Sequence, residues 1–276
     1  MRLQTIVAYL DEQYPASTAE DWDNVGLLVG DLSATVLNAL TCLTLTPTVC
    51  QEAVENKVDL IVSHHPFPFR PFQRITSETI EGRLLLKLIR NGIAVYSPHT
   101  AHDSAPDGVN QQLADLFGLV DLEPLNPNGS GRIGNLPLPL KLSVLLSLAE
   151  GQLGRCSFVG QSDRMIHRVA IGCGAADNFV PAASDAGAEL LLVGEARFHA
   201  CLQADSFGLA MILPGHFASE HFAVVTLAEK IAAKFPTLRC FASHTERDVL
   251  QVTKSDVTAS AELDKMAFAK YTTTRQ

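Results

Sequence analysis

The stretch VDLIVSHHPFPF, residues 58–69, decides how the chain is read. Leu60, Ile61 and Val62 make a short apolar run within VDLIV (58–62), the composition of a buried strand. His64 and His65 then stand side by side where that strand gives way to a loop of prolines and phenylalanines. Strand ends of this kind are where binding and catalytic groups collect.

Upstream, Thr46-Pro47 offers a cap residue followed by proline at the first helical position, which predicts a helix running to about Lys57. Downstream, Ile80, Leu84, Leu85 and Leu88 recur at helical spacing until Gly92 stops them. IAVYS (93–97) reads as the next strand and ends in PHTAHD (98–103). The same grammar resumes at RVAIG (168–172), a strand, and DNFVPAASDAGA (177–188), a helix. ELLLVGEARFH (189–199) reads as a strand running into a turn, and LAMIL (209–213) as another strand. PGHFASEHFAVVTLAEKIAAKF (214–235) is a helix with Phe217, Val224, Val225, Ala228 and Ile231 expected inward. Strands alternating with helices predict α/β architecture with mainly parallel sheets.

PLNPNGSGRIGNLPLPL (124–140) concentrates proline, glycine and asparagine and is the expected boundary between two lobes. The organisation is therefore an α/β lobe over 1–126, a second over 127–253 and a tail over 254–276 to which no function is assigned. The two blocks resemble a duplication in outline, yet no residue-level repeat supports one.

With 276 residues, 47% hydrophobic and 18% charged, the chain has the composition of a soluble globular protein. A net charge of -9 disfavours a general nucleic-acid binder, which needs cationic surface to displace counterions. Residues 1–20 lack the build of a secretory signal, and no apolar run approaches the ~20 residues of a membrane span. The six cysteines are scattered and form no C-x-x-C pair, the pattern of reduced core residues in a cytoplasmic protein.

Six of the nine histidines, His64, His65, His99, His102, His199 and His216, fall just after predicted strands. Carboxyl ends of parallel strands share one edge, so residues distant in sequence converge there. His64, His65 and His216 with Asp103 and Glu220 make a set of three imidazoles and two carboxylates. His216 and Glu220 are four apart and point from one helix face, the spacing that lets two ligands reach one ion. The adjacent side chains of His64 and His65 diverge in extended chain, so two neighbouring ions, one for each, suit them better than one. A carboxylate such as Glu220 has two oxygens with which to bridge such a pair. Each piece also has an ordinary reading: an incidental histidine pair, a turn aspartate, an exposed acid favoured by a helix dipole. Their joint placement after strands favours the metal. GCGAAD (172–177) reads as a tight turn between strand and helix, with presentation of backbone N–H groups to a phosphate as the alternative. DWDNVGLLVGD (21–31), which holds the only tryptophan, reads as a packed hairpin or loop.

Together these motifs resemble the Nif3-like dinuclear metal proteins, also called GTP cyclohydrolase I type 2 homologues. The resemblance runs from WDNVGLLVG (22–30) through SHHPFPF (63–69), GIAVYSPHTAHDSAPDGVN (92–110), GSGRIGNLP (129–137), VGEARFHA (193–200) and PGHFASE (214–220). It implies two α/β lobes around a metal-binding cleft, in a short form of the family that assembles as a toroidal hexamer. It implies two divalent ions per chain, iron, zinc, manganese or similar, with His65 and Asp103 on one, His64 and His216 on the other, and Glu220 bridging. His99 and His199 match near-site histidines of the family and are the candidate catalytic residues. Two positions depart from the pattern: Thr44 in LTLT (43–46) stands where aspartate is common, and Glu195 in VGEAR where aspartate is usual. Neither touches the five expected ligands.

The chemistry that follows is metal-dependent hydrolysis of a small molecule, with a nucleotide as the substrate the family name suggests and His99, His102 or His199 as proton donor. No nucleotide-recognition motif accompanies it. The alternative is non-catalytic: metal storage or delivery, or a scaffold acting through partners.

Overall fold

The computed structural model describes residues 1–251, of which Met1–Glu246 form one compact unit; the tail at 254–276 lies outside the described residues. In chain order the regular elements begin with α1 (Leu3–Gln13), β1 (Gly26–Val29), β2 (Asn38–Cys42), α2 (Pro47–Glu55), β3 (Leu60–Ser63), α3 (Ile80–Arg90) and β4 (Ala94–Ser97). There follow α4 (His99–Ser104), α5 (Val109–Leu116), β5 (Val120–Glu123), β6 (Arg132–Lys141), α6 (Leu142–Leu153), β7 (Ser157–Val159) and β8 (Met165–Gly172). The last are α7 (Val180–Asp185), β9 (Leu190–Val193), α8 (Phe198–Ser206), β10 (Ala210–Leu213), α9 (His216–Lys234) and β11 (Arg239–Ala242).

The strands make two sheets, a five-stranded one in the order β1-β4-β3-β2-β11 and a six-stranded one in the order β5-β6-β8-β9-β10-β7. In the first, β4, β3, β2 and β11 are parallel and only β1 runs against its neighbour. Alternation along these strands sends side chains to two different cores. Leu40, Cys42, Ile61 and Val95 pack with residues of α2 and α3, whereas Ala39, Leu60, Val62, Ala94 and Tyr96 pack with residues of α1 and α9. Burial on both faces explains the unbroken apolar runs of the sequence. In the second sheet the parallel part is confined to β8, β9 and β10, flanked by antiparallel β5, β6 and β7. The α/β class is as expected, but this sheet is more mixed than the sequence suggested.

Residues 124–140, expected as a boundary, contain most of the ten-residue strand β6. Its prolines lie where the pairing with β8 shifts register, between Asn135 and Leu140. Proline is tolerated in a strand at such an irregularity because no ladder hydrogen bond is lost there. The expected division at 126/127 is also crossed by pairing: β5 precedes it yet joins the second sheet, and β11 follows it yet joins the first. Helix α1 was not foreseen, although Leu3, Ile6, Val7 and Leu10 bury one face of it. The expected loop at 21–31 supplies edge strand β1, paired with β4. On α9, Val224, Ala228 and Ile231 are buried as expected, but Val225 is 40% exposed and Phe217 is half-buried, stacked on His221.

Candidate metal centre

The histidine pair is held by its backbone. The His64 N–H donates to the carbonyl of Cys42 at 2.8 Å and that of His65 to Leu43 at 2.8 Å, so the ladder between β2 and β3 extends past the strand end. Ser97 Oγ, at the end of β4, donates to the His64 carbonyl at 2.7 Å. His216 opens α9 after Gly215, whose φ of +100° is a conformation that favours glycine, and Glu220 follows one turn later.

The donor atoms converge. Glu220 Oε2 lies 3.2 Å from His65 Nε2 and 3.0 Å from His216 Nε2, and the two imidazole nitrogens are 3.2 Å apart. Beside them His64 Nε2 is 3.5 Å from Asp103 Oδ1. All five expected ligands therefore meet in one place, but the donor distances group them differently from the resemblance: His65 with His216 and Glu220, and His64 with Asp103. Gly174 makes the room. Its φ is +58°, and a Cβ there would fall 2.1 Å from Glu220 Oε1 and 3.2 Å from His216 Nε2. The turn at 172–177 thus serves as a close approach of backbone to a carboxylate.

Three of the four histidines at the centre have their other ring nitrogen occupied. His65 Nδ1 meets Thr44 Oγ1 at 2.7 Å, His216 Nδ1 meets Glu195 Oε1 at 3.0 Å and His99 Nδ1 meets Asp23 Oδ1 at 2.8 Å. An imidazole tethered at Nδ1 is fixed in orientation and, where the partner is a carboxylate, in tautomer, leaving Nε2 as the free lone pair. Asp23 also accepts from the Thr100 N–H at 3.1 Å and from its hydroxyl at 2.5 Å. Asp23, Thr44 and Glu195 are orienting residues that sequence reasoning missed. In the sequence Thr44 and Glu195 stand out only as departures from the family pattern; their shared signal is a polar side chain just after β2 and just after β9.

The fourth histidine is different. His64 is 1% exposed and neither of its ring nitrogens has a hydrogen-bond partner; Asp103 Oδ1 is also buried without one. Buried polar atoms are almost always satisfied, so an unpartnered imidazole beside an unpartnered carboxylate oxygen suits a partner of positive charge. Burial holds the His64 imidazole well below the ordinary histidine range, and so neutral and able to coordinate. Burial first, then the charge of Glu220, raises Asp103 to about 7. Its hydrogen bond with Glu220 raises His216 to about 9 against the effect of burial. Burial would raise Glu220, but hydrogen bonds from His216 and His65 outweigh it and hold the carboxyl well below its usual range. The donor set of imidazole and carboxylate fits iron, manganese, zinc or a similar divalent ion, and the Cys173 thiol hydrogen-bonded to Asp103 is kept protonated by burial.

Of the remaining histidines, His99 is buried and within reach of His64 and His65. His102 is buried against Tyr14, with ring centroids 4.7 Å apart, and burial lowers it to about 4. His199 is exposed on α8 with its ring against Phe198, and is not among the residues lining the cavity over the metal donors. That cavity has a volume of about 1260 Å³; His65, His99, Asp103, His216 and Glu220 form part of its wall, and Trp22, Phe67, Phe69 and Phe72 another part.

The sequence model of the Duf34/NIF3 (NGG1p interacting factor 3) family matches residues 1–249. The chain belongs to this family. A Clostridium perfringens relative named GTP cyclohydrolase 1 type 2 homolog is 32% identical over 239 residues, covering 84% of this chain and 91% of that protein. The human NIF3-like protein 1 is 42% identical over 129 residues, which is 46% of this chain and 34% of the human protein. Among solved structures, a Staphylococcus aureus hypothetical protein superposes with a TM-score of 0.84 at 26% identity, covering 92% of this chain and 99% of that one. A Bacillus cereus protein related to NIF3 has the same fold, with a TM-score of 0.84 at 20% identity and the same coverage. This NIF3 chain has no described helix long and apolar enough to cross a membrane.

Proposed function

We propose that the chain binds two divalent ions at this centre and hydrolyses a small molecule held in the cavity above them. His65, His216 and Glu220 would hold one ion, and His64 and Asp103 beside them would hold the other. Ions so held supply a Lewis acid for a substrate oxygen and bring a water nearer to ionisation at neutral pH. The protein's own residues do the rest. Thr44 and Glu195 keep the rings of His65 and His216 aimed inward. Asp23 holds His99 by Nδ1, so its other ring nitrogen can take a proton from the attacking water and pass it to a leaving group. A substrate seated against the apolar wall would exclude water from the reacting face. The toroidal hexamer is part of the same proposal and is checked by light scattering. Names of relatives favour GTP as a first substrate to try, and the mixed nitrogen and oxygen donors favour a hydrolytic role over a thiolate-type metal store.

The observation that carries the reading is the buried pair His64 and Asp103, unsatisfied beside a completed cluster of His65, His216 and Glu220. Elemental analysis after anaerobic purification tests it, with native protein compared against Glu220→Ala. Close to two ions in the native chain and none in the variant is the expected result. A native chain that stays metal-free after incubation with iron, manganese and zinc sinks it.

A further inference from the structure

The cavity carries a second set of groups that metal binding does not use. Trp22, the only tryptophan in the chain, is 63% exposed, and Phe69 is 56% exposed, although both line the same cavity. Their ring centroids are 6.3 Å apart, and each stands close to His99, at 5.8 Å from Trp22 and 6.3 Å from Phe69. His99 is in turn 5.3 Å from His64 and 5.6 Å from His65, centroid to centroid. An uncovered aromatic surface therefore abuts the metal donors. Two aromatic rings left exposed inside a concavity forfeit burial that a planar ligand restores, since rings pair at centroid separations of this order.

Arg70 and Arg74 line the cavity on the same loop as Phe69. Both are exposed and, among the described residues, neither makes an ion pair. The acids on this side of the cavity are Glu20, whose carboxylate is engaged by Asn128, and Glu81, which sits in the first turn of α3. A guanidinium presents a planar fork suited to phosphate or carboxylate and also stacks on aromatic faces.

We infer that the wall formed by Trp22, Phe69, Arg70 and Arg74 selects substrates made of a planar aromatic ring bearing an anionic group, seating the ring on the aromatics beside His99 and the anion on the arginines. This deepens the hydrolase reading and rests on it for where the scissile bond lies, because a ring so seated borders the metal donors. A cavity of about 1260 Å³ is ample for a ligand of nucleotide size or smaller.

The single tryptophan makes the test direct. Its fluorescence is followed in metal-supplemented full-length protein titrated with phenyl phosphate, guanosine monophosphate, guanosine, phenol and inorganic phosphate, and heats of binding are taken in parallel. Saturable quenching by the two compounds that join ring to anion, at least about tenfold tighter than by ring or anion alone, is expected. Tighter binding of the nucleotide than of phenyl phosphate would assign the ring to a nucleobase, and the reverse order to a simple aryl group. Phe69→Ala is expected to weaken both ring-and-anion ligands, and the double variant Arg70→Ala with Arg74→Ala to bring them down to the level of guanosine and phenol. All three substituted side chains are exposed, so folding is preserved. Metal content is measured on the same samples. Protein that takes up metal but binds no ring-and-anion compound overturns the inference and leaves the metal centre standing. Protein that binds them while refusing metal supports the inference and removes the hydrolase reading. Equal affinity for phenyl phosphate and inorganic phosphate overturns it too.

Discussion

Two histidine–aspartate pairs lie side by side in this molecule, and they are built to opposite ends. His99 and Asp23 meet at 2.8 Å, and Thr100 completes the carboxylate with its N–H and hydroxyl. His64 and Asp103 stand 3.5 Å apart, buried, with both ring nitrogens and Oδ1 unpartnered. The first pair is finished without any further atom. The second costs stability as it stands, since each unsatisfied buried group forfeits about 1–3 kcal/mol of solvation. A divalent ion, as proposed, would complete both groups at once. The contrast separates a positioning pair from a ligand pair without any appeal to similarity.

Asp103→Asn is the largest test of that difference. The variant keeps the shape but removes the charge an ion requires, so it should retain the ion held by His65, His216 and Glu220 and lose the other. Native protein with metal at about 100 times its dissociation constant gains roughly 2.7 kcal/mol per site. Thermal melts should show the variant gaining from one site only, while in chelator it is at least as stable as native because a buried ionisable acid is gone. A variant that still holds two ions would erase the distinction between the pairs.

Acidity gives a second, intermediate test. In the metal-free protein His216 is raised to about 9 and Asp103 to about 7, so the folded state holds protons that the unfolded chain would release. For His216 the resulting stability is complete below its model value of 6.5 and is lost as pH climbs through about 9. For Asp103 it is complete below 3.8 and is lost on the way to about 7. Near pH 6 this is opposed by His64 and His102, which burial holds neutral in the fold while the unfolded chain protonates them. Melting in chelator should therefore weaken from about pH 7 to pH 9, and metal should bind more tightly over the same range because binding must displace those protons. Calorimetry in buffers of different ionisation enthalpy reads the protons released, about one to two per chain near neutrality. Release near zero would mean that these groups do not bind the ion.

Much of this was legible in the sequence because parallel strands buried on both faces are apolar throughout, so β3, β4, β8, β9 and β10 announce themselves and bring their carboxyl ends to shared edges. That His216 and Glu220 share one helix face was legible from spacing. What stayed hidden is what depends on pairing rather than period. The strand β6 contains prolines and glycines that are harmless only because its ladder with β8 is irregular there, which no local pattern reveals. The crossing of β11 into the first sheet depends on a register with β2, where Arg239 meets Asn38 from the far end of the chain. Asp23, Thr44 and Glu195 come from three separate elements, and only the fold shows that each meets a different imidazole. His199 misled for the opposite reason: it follows a strand as the others do, but α8 carries it to the exposed surface.

Asp23→Asn is the smallest and most discriminating step. The amide still accepts a hydrogen bond from His99 Nδ1, but the charge that makes Asp23 a strong acceptor is lost. Hydrogen bonds from His99 and Thr100 hold the Asp23 carboxyl below its usual range against the effect of burial, so its contribution is present above the ordinary aspartate range and fades only in acid. Charge-assisted bonds of this kind contribute about 1.5–3 kcal/mol, of which the amide retains part. A loss of about 1 kcal/mol lowers the melting point by roughly 2–4 °C in a unit of this size. His99 lies with His64 and His65 in a group that could hold a metal, so metal content should stay unchanged if, as proposed, the ions are held by the other groups. The effect should appear instead in turnover of any substrate found, as a lower kcat with little change in KM, if His99 moves the proton. Loss of metal in Asp23→Asn would place His99 among the ligands and join the two pairs into one centre.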